Sequence, residues 1–153
     1  MNSINEQLRV AAESGDEAEV EALLLNPKCD PLSKDDNKDG MTAVMIAASN
    51  GHEACLQLLL PVSDPLAKDH WGGTALMHAA SDGHASCVNI LLPLSDISAK
   101  NNEEDTASEI ASSKGHSQLA MFITAYAAAR SEKTALSSSI PAVAPQKSRS
   151  LRM

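Results

Sequence analysis

Two pairs of residues carry the spacing of a metal site. His52 and Cys55 are three positions apart, as are His84 and Cys87, and zinc sites use imidazole and thiolate ligands at such short spacing. The third member of the series breaks the pattern, because His116 is followed by Leu119 where Cys would stand. A position that exchanges Cys for Leu is a packing position, and free Cys is commonly buried as a small hydrophobe. Cys55 and Cys87 are therefore expected on the buried side of a helix, with no metal and no cofactor. A disulfide between them is not expected: stacked helix axes lie about 8–10 Å apart, too far for the usual bridge. Cys29 stands alone in a linker and is expected to be exposed. His78, Ser81 and Asp82 contain the residue types of nucleophilic hydrolysis. That chemistry needs a base aimed at the nucleophile and an oxyanion hole beside it. The chain has no G-x-S-x-G elbow, no P-loop and no dinucleotide fingerprint. These residues read as the exposed end of a helix, and the chain as a non-enzyme.

What positions these residues is an internal repeat. Residues 42–68 (TAVMIAASNGHEACLQLLLPVSDPLAK) and 74–100 (TALMHAASDGHASCVNILLPLSDISAK) align without a gap at an offset of 32. Gly51, Gly83 and Gly115 keep that interval and are each followed by His, whereas Gly15 precedes Gly51 by 36, so the first linker is longer. Periods of this size define stacked supersecondary units. Four units are expected, at about 4–36, 37–68, 69–100 and 101–130, with first helices starting near Glu6, Thr42, Thr74 and Thr106.

Local signals place a helix pair in each unit. Ser3 and Glu6 have capping-box spacing, and Gly15 permits the turn that follows. Val20, Leu23 and Leu24 form one stripe of the second helix, and Glu17, Glu19 and Glu21 give it the polar outer face that a terminal unit requires. Pro61 and Pro93 end later pairs, because the residue before proline is pushed out of the helical region. Gly72 and Gly73 allow positive φ at a hairpin tip. Glu104 stands where that tip has a glycine, which predicts a distorted tip in the fourth unit. The last helix is expected over 117–130, with Leu119, Ile123 and Ala127 inward. From residue 131 onward the chain is rich in Ser, Ala and Pro and is basic. It carries too little apolar area to offset ordering entropy, so 131–153 is expected to be a disordered tail.

The run Thr42-Ala43-Val44-Met45-Ile46-Ala47-Ala48, its copy Thr74-Ala75-Leu76-Met77-His78-Ala79-Ala80, and the Gly-His and Leu-Leu that follow resemble the ankyrin repeat. Ala stands for the Pro of that motif, Met45 and Met77 for its His, and the LLPVSD and LLPLSD endings replace the usual Gly-Ala-Asp hairpin with one residue fewer. This variant is similar to those of bacterial and some protist ankyrin proteins. The resemblance implies an all-α solenoid of four helix-turn-helix units with short hairpin connections. It also implies a concave groove formed by hairpin tips and first helices. Its partner-binding residues would be Lys38, Asp39, Met41, Ser49 and Asn50; His70, Trp71, Gly73, His78, Ser81 and Asp82; and Asn102, Glu103, Asp105 and Lys114. Trp71, the chain's single Trp, belongs to the residue type most enriched at binding hot spots; the competing expectation is that it folds back as a lid over the next hairpin.

Charge narrows the partner. The net charge of −8 divides into +3 for 131–153 (Lys133, Lys147, Arg149 and Arg152 against Glu132) and therefore −11 for 1–130. An acidic body argues against a phosphate backbone, which needs clustered Lys and Arg, and favours a basic protein surface. No apolar run approaches the ~20 residues of a membrane span, and the polar start MNSINEQLRV lacks a secretory stretch. The expected protein is a cytoplasmic monomeric module that binds a protein partner. The alternatives are an inhibitor or immunity-type protein capping a basic toxin or nucleic-acid enzyme, and a secreted effector with a C-terminal export signal.

Overall fold

Helix boundaries follow the caps. In the structure, a computed structural model that describes residues 2–139 and side chains through 132, the Glu6 amide donates to Ser3 Oγ at 3.2 Å and opens α1 (Ile4–Ser14). Gly15, at φ 80°, closes it. A reciprocal capping box is present at Thr106 and Glu109, where α7 (Ala107–Ser113) begins. The chain then alternates between two rows. α1, α3 (Ala43–Asn50), α5 (Ala75–Ser81) and α7 form one row, with each helix against the next. α2 (Glu17–Leu24), α4 (Glu53–Leu59), α6 (Ala85–Leu91) and α8 (Ser117–Ser139) form the second. Pro61 and Pro93 lie within 3-10 turns, Leu60–Val62 and Leu92–Leu94, which tighten the chain after α4 and α6. Among the described residues there is no strand, only an isolated antiparallel bridge between Asp35 and Met41.

The rows pack closely because the facing side chains are small. Ala11, Ala12, Ala47, Ala48, Ala79, Ala80 and Ala111 are all buried. Leu8, Val44 and Leu76 occupy one repeat position in the core, whereas the fourth unit places the half-buried Ser108 there. Similarly, Leu92 is fully buried and its counterpart Thr124 is exposed. These polar replacements set the fourth unit apart from the third. Helix α8 runs to Ser139, past Arg130 where the pattern placed the end of the last unit. The segment expected to lack order thus gives its first residues to α8, and residues 140–153 lie outside the described residues.

The Gly-His pairs lock neighbouring units together. A Cβ built on Gly15 would lie 2.7 Å from Nδ1 of His52, one on Gly51 2.6 Å from Nδ1 of His84, and one on Gly83 2.5 Å from Cε1 of His116. Each imidazole therefore fills the space left by the glycine one unit earlier. His52 is also pinned through Nε2, 2.9 Å from the Glu13 carbonyl oxygen. Lysines repeat the theme: Lys34 Nζ donates to the Lys68 carbonyl at 2.7 Å, and Lys68 Nζ to that of Lys100 at 3.0 Å. Gly115 shares the positive φ but faces nothing within 4 Å. We expect Gly115→Ala to cost about 1.5 kcal/mol from the left-handed backbone alone. Gly15→Ala should cost about 3 kcal/mol, because its methyl must also displace a hydrogen-bonded ring. Equal losses in urea denaturation would show that the sockets contribute nothing.

Candidate partner-binding surface

One polar side chain organises each hairpin tip. In the third unit it is Asp69, whose side chain is 2% exposed. Its Oδ1 accepts from the Trp71 amide at 2.9 Å and the Gly73 amide at 2.7 Å, and its Oδ2 lies 2.7 Å from His78 Nε2. Asn101 does the same work in the fourth unit, accepting from Glu103 and Asp105 at 2.9 and 3.0 Å. In the second unit Asp35 accepts from Asn37 at 2.9 Å and faces Arg9 Nε at 3.3 Å. Backbone bonds close the tips from Asp69 to Gly73 and from Asn101 to Asp105; the second unit closes from Asp35 to Met41, a tip two residues longer. Glu104 does not distort the fourth tip. It takes φ 70°, close to the 77° of Gly72, and the same closing bond forms. The tip expected to be distorted thus closes as its counterpart in the third unit does, with the cost carried by one left-handed non-glycine residue.

The tips form one continuous edge. His70 N–H donates to the Asp39 carbonyl at 2.8 Å, Asn102 N–H to the Trp71 carbonyl at 2.9 Å, and Asn102 Nδ2 to the His70 carbonyl at 3.0 Å. The His70 ring covers Gly40, and Asn102 covers Gly72. Trp71 is 64% exposed, so its indole projects from this edge and does not serve as a lid. Its backbone is fixed on both sides by the bonds just described.

Tips and first helices together supply the sequence-predicted residues, and many are already engaged. Ser49 Oγ donates to Asp82 Oδ2 at 2.6 Å, and Lys38 Nζ lies 2.6 Å from Glu13 Oε2. Asn50 Nδ2 donates to the Ile46 carbonyl at 2.9 Å. Asp39, His70, Asn102, Glu103 and Lys114 are exposed, and Ser81 and Asp105 half-buried. Two members of the set offer little surface: Gly73 is buried behind the tip, and Met41 is half-buried against the core. Glu13, on the first unit, was missed by the sequence reading. It sits one position before the helix end, as Ser49 does, and that register was its signal.

The chemical constellations do not assemble. His78 is turned to Asp69 and Asp82 to Ser49, so His78, Ser81 and Asp82 form no hydrolytic relay. His52 sits against the first unit while Cys55 is buried in the core, and Cys87 is buried likewise. Burial, followed by nearby carboxylates, pushes both thiols above their ordinary pKa, which makes them poor nucleophiles. Cys29 is not exposed as expected; it is half-buried against the core, and its thiol is raised by burial and by Asp30. Among the described residues no group of three His, Cys, Asp or Glu side chains is placed to hold a metal, and no helix is long and apolar enough to cross a membrane.

Stacked helix pairs with tips projecting from one edge define a helical repeat solenoid, a class in which each unit contacts only its neighbours. A family model described as ankyrin repeats in three copies matches residues 8–101, and the chain belongs to the ankyrin repeat family. The fourth unit lies beyond that match yet repeats the same tip and helix pair. A search of curated proteins returned no match. Ankyrin repeats are in general protein–protein interaction modules, and that is the class of this protein.

Proposed function

We propose that this protein is a non-enzymatic binding module that captures a protein with a basic surface along its row of hairpin tips and first helices. The observation that carries the reading is Trp71: a large aromatic residue, 64% exposed, on a backbone held from both sides. An exposed indole on a rigid tip is a binding anchor in waiting, because little ordering entropy remains to be lost on association. Charge supports the class of partner. Asp39, Glu103 and Asp105 carry no ion pair among the described residues, while the nearest lysines are engaged, Lys38 with Glu13 and Lys100 with Glu104 at 3.6 Å. The edge therefore offers unspent negative charge. Exposed charges at the rim of an interface steer encounter more than they hold the complex. We expect Glu103→Lys with Asp105→Lys to slow association about tenfold at low salt and to reverse its salt dependence. Stopped-flow kinetics with the partner isolated from the source cells tests this; an association rate indifferent to the reversal would remove the acidic edge from the account.

A further inference from the structure

The equivalent positions of the three tips point to the side chain that this edge recognises. Asn37, Trp71 and Glu103 each follow the organising residue of their tip by two, and each donates its amide to that residue at 2.9 Å. Trp71 and Glu103 share one repeat position, whereas in the longer second tip Asp39, not Asn37, takes that position, its carbonyl accepting from His70 as that of Trp71 accepts from Asn102, so the indole lies between two carboxylate-bearing residues of the edge. The Asn102 amide bonded to the Trp71 carbonyl makes the third and fourth tips direct neighbours, so Glu103 comes one residue after a backbone contact with Trp71. On the opposite side the Asp39 carbonyl accepts from His70, the residue before Trp71, which brings the Asp39 tip beside it. Among the described residues the indole makes no hydrogen bond or ring contact, and neither Asp39 nor Glu103 has an ion-pair partner.

An aromatic face flanked by unpaired carboxylates fits a particular cation. A lysine ammonium is a compact, strongly hydrated point charge, whereas a guanidinium is planar, weakly hydrated, stacks on indole and pairs with a carboxylate through two parallel N–H bonds. Resting on the reading of this edge as the binding surface, we propose that the Trp71 tip is an arginine-recognition site. An arginine side chain of an extended partner segment stacks on the indole, and its guanidinium donates to Glu103 or Asp39. The other acidic residues of the edge select for a basic segment without distinguishing arginine from lysine, so the discrimination resides in Trp71 together with Glu103 or Asp39.

Trp71 is the chain's only Trp, so its fluorescence reports the site directly. The probes are octapeptides of alternating glycine and arginine, the same peptide with lysine, and the same peptide with citrulline, which keeps the plane and loses the charge. The full chain should give a saturable fluorescence change with the arginine peptide. Affinity should fall about fivefold with lysine and more than tenfold with citrulline, and Glu103→Gln with Asp39→Asn should reduce the arginine preference to under twofold while far-UV circular dichroism stays unchanged. Equal affinity for the arginine and lysine peptides would overturn the proposal in favour of diffuse charge attraction. So would the absence of any saturable change. In either of those cases, loss of the native partner on Trp71→Ala would still uphold the tip edge as the binding surface, so the two ideas fail separately.

Discussion

Removing the fourth unit is expected to abolish the cooperative fold. In a stack, each unit folds at a net cost alone and is stabilised through its interfaces with neighbours. Here the third unit's inner helix α5 lies against α7, and the fourth unit buries Ala107, Ala111, Leu119, Ala120 and Ile123. Full burial of a side chain such as Leu or Ile is worth about 1.5–3 kcal/mol. The deletion forfeits several such contributions and also bares the core face of the third unit, including the fully buried Leu91 and Leu92. Against a total stability of about 5–15 kcal/mol for a small domain, that loss is decisive. The polar residues of the fourth unit, Ser108 and Thr124, have no equivalent in the third, where Leu76 and Leu92 stand. A chain ending at residue 100 should therefore show a broad, non-cooperative thermal melt by circular dichroism and associate on size exclusion. A monomeric fragment of 1–100 melting within a few degrees of the full chain would refute the interdependence of the units.

Truncating the exposed indole is the second large effect, and it falls on binding and not on stability. Trp71→Ala should weaken partner affinity by about 2 kcal/mol or more, roughly thirtyfold in Kd. The protein's own stability should change by less than about 0.5 kcal/mol, because an exposed side chain away from caps and core contributes little to folding. The tip backbone survives the change, since Asp69 binds the amide of residue 71 and not its side chain. The combination separates an anchor from a structural residue: a core or lid Trp would lose stability together with affinity.

The parts of the fold that were legible in the sequence were those set by neighbours along the chain. Gly15 and Gly51 end helices at positive φ, Thr74 and Thr106 start them, and the 32-residue register repeats those signals. Burial of Cys55 and Cys87 followed from the exchange of Cys for Leu119 at one repeat position. What stayed hidden depended on contacts between units. His52 was recognisable as part of a Gly-His pattern, but that its ring fills the space above Gly15 is a fact of stacking. The left-handed Glu104 was unreadable for the same reason: the closing bond of its own tip, with the Asn102 contact to Trp71, overrides the preference of a single residue. Cys29 was misjudged because its linker folds back onto the core. The end of α8 escaped because Ser, Glu, Lys and Ala after Arg130 carry no helix stop before Pro141. At the candidate surface, residue identities were legible, but their engagement was not. Neither the Asp82 bond to Ser49 nor the Lys38 pair with Glu13 could be inferred from positions in the chain.

The account stands or falls on which face the partner occupies. Glu19 lies on α2, exposed, on the row away from the tips, and serves as the matched control for Trp71. Calorimetric titration of the isolated partner into the full chain, Trp71→Ala and Glu19→Lys measures both faces at once. The tip-edge account predicts that Trp71→Ala loses about thirtyfold in affinity while Glu19→Lys binds as the unaltered chain does. Normal binding by Trp71→Ala together with loss of binding by Glu19→Lys would place the partner on the α2 side and contradict the assignment of the surface.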